Sequence, residues 1–136
     1  MKRVALTPTL VLLAALAHGQ RVVTAADCTC ASDGRAVQSV PLHSDSLASS
    51  FLLCITGEVP LHLHRAHTEH VSVLDGEGLM TLGDTVLTVR TGQVLTIPKG
   101  TPHAVKRTGT APLKVLSVQA PQFDGTDRVF LEAPKR

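Results

Sequence analysis

The sequence predicts an all-β sandwich or barrel, and three observations carry that prediction. From Val37 onward, short runs rich in β-formers recur at intervals of about 8–12 residues. Turns containing Gly, Pro and Asp separate them. No stretch of any length shows the apolar period of a helix.

In chain order, the runs are as follows. Val37–Leu42 comes first, followed by the almost unbroken apolar run Phe51–Thr56. Gly57-Glu58-Val59-Pro60 turns the chain into Leu61–His64, and His70–Leu74 follows a short polar turn. Asp75-Gly76-Glu77-Gly78 leads into Leu79–Leu82. Gly83-Asp84 then suits a two-residue hairpin with positive φ, joining that run to Thr85–Val89. Val94–Ile97, His103–Lys106 and Leu113–Val118 complete the set, separated by Pro98-Lys99-Gly100 and Thr108-Gly109. The segment beyond Pro121, with a turn at Asp124-Gly125, reads as a tail wrapping the barrel.

A chain of 136 residues is one domain, and 43% hydrophobic with 18% charged residues describes a packed protein. Three Phe with no Tyr or Trp leave a pocket walled mainly by Val, Leu, Ile, Thr and His, which disfavours stacking of sugars or nucleobases. A net charge of +2 without a basic run disfavours nucleic acid as a partner.

Lys2 and Arg3 followed by the uncharged stretch to Ala17 read as a secretory signal, since the apolar core is shorter than the ~20 residues of a spanning helix. Cleavage points follow Ala17, Gly19 and Ala26. The expected layout is a signal and leader over 1–26, a barrel over 27–120 and a tail over 121–136. The mature protein is then exported, periplasmic or extracellular, with no stable membrane insertion after cleavage. Export exposes Cys28, Cys30 and Cys54 to an oxidising compartment, and three cysteines allow at most one bridge. Cys54, inside an apolar run, is expected to be a buried, inert thiol. The Cys28-Thr29-Cys30 pair lacks metal-site spacing.

The chemistry concentrates between Gly57 and Gly76. Residues two apart in a strand share a face, so His62 and His64 project together with Cα atoms about 6.5–7 Å apart. Glu69 opens the next strand and returns a carboxylate to the same point, and His103 adds a third imidazole. Three neutral nitrogens and one carboxylate oxygen suit a divalent first-row metal. Fe, Mn, Ni, Zn and Cu all accept this set.

The order Gly57, His62, His64, Glu69, Gly76 resembles the first cupin motif, G-x5-H-x-H-x3,4-E-x6-G, with four residues instead of five after Gly57. Gly92, Pro98, Gly100 and His103 resemble the second, G-x5-P-x-G-x2-H-x3-N, except that Arg107 stands at the final Asn. The resemblance runs from about Val37 to Val118. It implies a double-stranded β-helix (jelly-roll) barrel of the cupin superfamily with the metal inside.

Other residues divide between two readings. Arg107 shares the parity of His103; it either leans into the barrel mouth to hold an anionic ligand bidentately or, more plainly, caps a strand end in water. His67 reads as a solvated turn histidine before it reads as a further ligand, and His70 and His43 point to solvent. If His62 and His64 face inward, Leu61, Leu63 and Leu74 face outward, and an exposed leucine surface predicts a homodimer. The functions compatible with the site are capture of a small, anionic ligand by a metal-bearing module, catalysis by a metal-dependent dioxygenase, isomerase or decarboxylase, and a metal that chiefly staples the barrel. For added acid–base chemistry, Glu77, Asp75 and His67 are the nearby candidates.

Overall fold

The computed structural model of the chain describes residues 22–132, so the expected signal lies outside it except for its last five positions, 22–26. The described residues form ten strands: β1 (Val37–Ser44), β2 (Ser49–Ile55), β3 (Glu58–His64), β4 (Thr68–Asp75), β5 (Glu77–Leu82), β6 (Thr85–Arg90), β7 (Val94–Ile97), β8 (His103–Arg107), β9 (Leu113–Ala120) and β10 (Arg128–Phe130). They make two five-stranded sheets, β1-β2-β9-β4-β7 and β10-β3-β8-β5-β6, with every pairing antiparallel. This is the all-β architecture that the patterning predicts and the jelly roll that the cupin resemblance implies, and all nine expected runs fall on strands, with Thr56 alone extending past the end of β2.

Two details depart from expectation. Glu58, Val59 and Pro60 belong to β3, not to a turn; the β3–β8 register breaks between Val59 and His62, which accommodates a residue that cannot donate to the ladder. The tail also adds a strand, because β10 pairs with β3 through Arg128↔His64, Val129↔Leu63 and Phe130↔His62.

Alternation decides which side chains meet. Ile55, Val73, Met80, Val89, Leu95, Ile97, Leu113 and Val115 form the core between the sheets. Residues of opposite parity, Leu52, Cys54, Leu74 and Leu116, form a second cluster on the outer face of the first sheet, where Cys28, Val23 and Cys30 cover it. Cys30 bridges Cys54 across 24 residues and pins this cover, while Cys28 is the buried free thiol. Cys54 is thus buried as expected but bridged, and the inert thiol is Cys28.

This cover also corrects the leucine surface. Leu74 lies on the first sheet under the chain's own N-terminal segment, whereas Leu61 and Leu63 are half-buried on the outer face of the second sheet.

Two glycines are required by the turns that carry the site. At Gly76 (φ +79°) a Cβ would stand 2.4 Å from the Pro112 carbonyl oxygen. Gly100 (φ +79°) donates its N–H to the His64 carbonyl at 2.6 Å, closing the loop before β8 onto the end of β3. In the β5–β6 hairpin, Leu82 pairs with Thr85, and of the two turn residues only Gly83 has positive φ (58°).

Candidate metal centre

His62 and His64 lie on β3 with the inward parity, and His103 opens β8 directly opposite His62 in the ladder. Glu69 reaches them from β4, on the other sheet. The coordinating atoms of the three histidines lie within 4.8 Å of one another, and all three residues are buried. Glu69 Oε2 lies 3.3 Å from His103 Nε2 and 3.6 Å from His64 Nε2. The four residues singled out from spacing therefore meet at one point.

The hydrogen bonds at this point suit an ion. His62 Nδ1 donates to the Pro60 carbonyl at 2.8 Å and His103 Nδ1 to the Thr101 carbonyl at 2.9 Å, which fixes the tautomer and leaves each Nε2 as a lone pair. Both nitrogens of His64 and Nε2 of His103 are buried without a hydrogen-bond partner. Buried polar atoms seldom go unpaired, and a bound cation would satisfy several of these at once. Glu69 Oε1 accepts from the Ser117 hydroxyl at 2.5 Å, which orients the carboxylate.

The charge states agree with this donor set. Burial alone would raise the Glu69 carboxyl, but His103, His64 and Ser117 hold it well below the usual carboxylate range. Burial above all lowers the His62 imidazole to about 4, and a proton there would also meet the Arg128 guanidinium and the crowded His103 and His64 rings. A neutral imidazole beside an ionised carboxylate is the form a metal takes.

Unfolding would return His62 to its ordinary value of 6.5, so on acidification the unfolded chain takes the proton first. Its contribution to stability is complete above that value and lost as the pH falls toward 4. In chelator-treated protein, the melting temperature is expected to fall steadily between about pH 6.5 and pH 4.5, with a shallower fall in His62→Gln. Identical profiles for the two proteins would contradict this reading.

His67 is not the solvated histidine that its turn suggested. It is buried, with Nδ1 against the Asp127 carboxylate and Nε2 2.6 Å from the Gln122 carbonyl oxygen. Two acceptors on two ring nitrogens require the imidazolium. Burial would lower the pKa of His67, but Gln122 and Asp127 outweigh it and raise it. Asp127 also accepts the backbone N–H groups of Arg65, Ala66 and His67, clamping the tail to the β3–β4 turn.

Arg107 shares the parity of His103 but sits at the far end of β8. Its guanidinium donates to the Thr56 carbonyl at 2.8 Å, to the Gly109 carbonyl, and to the Thr110 carbonyl at 3.2 Å. It is absent from the residues lining the cavity, so of its two readings the plainer, a cap at a strand end, fits its place, with backbone carbonyls rather than water alone around the guanidinium.

That cavity, about 460 Å³, runs from His62, His103 and Glu69 into the apolar interior of the barrel. Ser117 and Gln119 line it beside Glu69, and Arg128, Phe123 and Phe51 with Phe130 also face it. All three Phe of the chain therefore line the pocket, which the low aromatic count had concealed. Sequence reasoning missed these residues too. For Ser117 and Gln119 a signal existed, because they continue the inward parity of Leu113 and Val115.

The cupin domain family model matches residues 51–119, and the chain belongs to that family. An uncharacterised protein of Methanocaldococcus jannaschii is 38% identical over 72 residues, which cover 53% of this chain and 58% of that protein. One from Aquifex aeolicus is 32% identical over 97 residues, covering 71% of this chain and 78% of the other. The chain thus spans little more than half the length of the first of these relatives. A Klebsiella pneumoniae protein with a double-stranded β-helix domain superposes with a TM-score of 0.73 at 19% identity, over 85% of this chain and all of that one, a likeness of fold.

Proposed function

We propose that this cupin binds one divalent transition metal through His62, His64, His103 and Glu69, and uses it to hold a small ligand after export. The observation that carries the reading is the set of unpaired, buried ring nitrogens on His64 and His103, clustered with His62 and Glu69, of which His62, His103 and Glu69 line a cavity with room for a molecule. An ion at these residues would face the cavity, which favours ligand handling over a purely structural staple. When bound, the ion would supply Lewis acidity and open coordination positions. Ser117 would keep the Glu69 carboxylate aimed, and the Pro60 and Thr101 carbonyls would hold two imidazoles in the ligating tautomer.

Among the described residues, the titratable side chains lining the cavity are His62, Glu69, His103 and Arg128. Glu77, Asp75 and His67 do not line it, so capture of a ligand is preferred to acid–base catalysis beyond the metal. Calorimetric titration of chelator-treated protein with Mn, Fe(II), Ni, Zn and Cu ions tests the reading. One ion per chain is expected, with affinity falling by more than about 100-fold in His64→Ala, since loss of an outer-shell partner alone costs 10–100-fold. Equal affinity in the variant would exclude this site.

The homodimer is proposed on the outer face of the second sheet, which half-buried Leu61 and Leu63 on β3 share with exposed Leu79 on β5 and Val86 on β6, across the intervening β8. Light scattering at micromolar concentration should give twice the chain mass; a mass of one chain would exclude it.

A further inference from the structure

The cavity combines features that the metal centre does not use. Its inner wall is formed by Ile55, Val73, Met80, Val89, Leu113 and Val115, without a charged group among them. Interiors normally pack to crystal density, so an apolar space of about 460 Å³ continuous with a polar mouth is the shape of a ligand site.

Two polar groups converge on the mouth. Antiparallel register places Arg128 opposite His64 and Phe130 opposite His62, on the inner face of the second sheet. The Arg128 guanidinium lies over the Phe123 ring, 5.6 Å from its centroid, and forms no ion pair among the described residues. Gln119, only 3% exposed, lines the cavity beside Glu69 with its amide oxygen unpaired. A buried amide with one end free is satisfied by a polar group on whatever fills the space.

The geometry points to a small amphiphilic anion as the ligand: a carboxylate held by Arg128 at the mouth, a polar contact to Gln119, and an apolar body in the barrel interior. This deepens the ligand-holding reading and rests on its cavity, not on the identity of its ion. Arginine suits the role because its planar fork binds a carboxylate through two parallel hydrogen bonds. The interior rewards an alkyl chain or a single ring, since every methylene leaving water for that wall contributes. A fully charged, highly hydroxylated ligand would leave the deep wall uncovered.

The test is calorimetric titration of the whole mature protein with three probes: octanoate, acetate and octanol. Octanoate carries both head and tail, acetate the head alone, octanol the tail alone. Octanoate is expected to bind at least roughly tenfold more tightly than either of the others. Arg128→Gln should bring octanoate to the level of octanol while leaving octanol unchanged. Acetate binding as tightly as octanoate would remove the apolar body from the inference. Octanol binding as tightly, or Arg128→Gln leaving octanoate unaffected, would remove the anchor. Each titration is run on chelator-treated and metal-loaded samples whose metal content is measured. Failure of the metal reading appears as absent metal, whereas failure of this inference appears as lost contrast among the probes in both samples.

Discussion

Saturating divalent transition metal is expected to raise the melting temperature of the chelator-treated protein by about 10 °C or more. An ion that binds only the folded chain stabilises it by ~2.7 kcal/mol at a hundred times its dissociation constant. In a domain of this size each kcal/mol moves the midpoint by roughly 4–8 °C. The gain arises because the unfolded chain has no preformed site: the fold brings His62 and His64 on β3, His103 on β8 and Glu69 on β4 to one point. Both nitrogens of His64 and Nε2 of His103 lack hydrogen-bond partners until something binds there. Glu69→Gln should abolish most of the rise, because the amide loses the charge that the ion would neutralise. A melting curve indifferent to every added ion would contradict the account.

Asp127→Ala is expected to destabilise the protein by about 3 kcal/mol, a fall in melting temperature on the order of 10–20 °C. The aspartate holds the buried His67 imidazolium and three backbone N–H groups in the β3–β4 turn, so its loss strands a buried charge and opens that turn. Asp127→Asn keeps acceptors for the N–H groups but removes the charge, and should fall between wild type and Ala. A double-mutant cycle with His67→Ala should return a coupling above about 1 kcal/mol. Additive effects would mean that the pair does not act as a unit.

Strand alternation is why so much of the fold, and the clustering of the candidate site residues, was legible. A period of two made the nine runs visible and put His62 and His64 on one face, while the spacing to Glu69 and His103 followed the order of the strands. What alternation does not report is position along a strand. Arg107 has the correct parity, yet four residues at about 3.3 Å each carry it some 13 Å from His103, where backbone carbonyls engage it.

Contacts distant in sequence were equally silent. The clamp joins His67 to a residue 60 positions away, so a buried imidazolium looked like a surface turn residue. The strand Arg128–Phe130 is three residues long, too short for a pattern, and is fixed by that clamp and by β3. The choice of Cys30 over Cys28 as the partner of Cys54 is a tertiary outcome as well. It depends on how the N-terminal segment lies over Leu52 and Leu116.

The most direct test of the metal centre is the elemental content of the protein isolated from its natural compartment, compared with His64→Ala prepared identically. The account predicts one divalent transition ion per chain in the native protein and almost none in the variant. Native protein without such an ion, or a variant that retains its full complement, would contradict it.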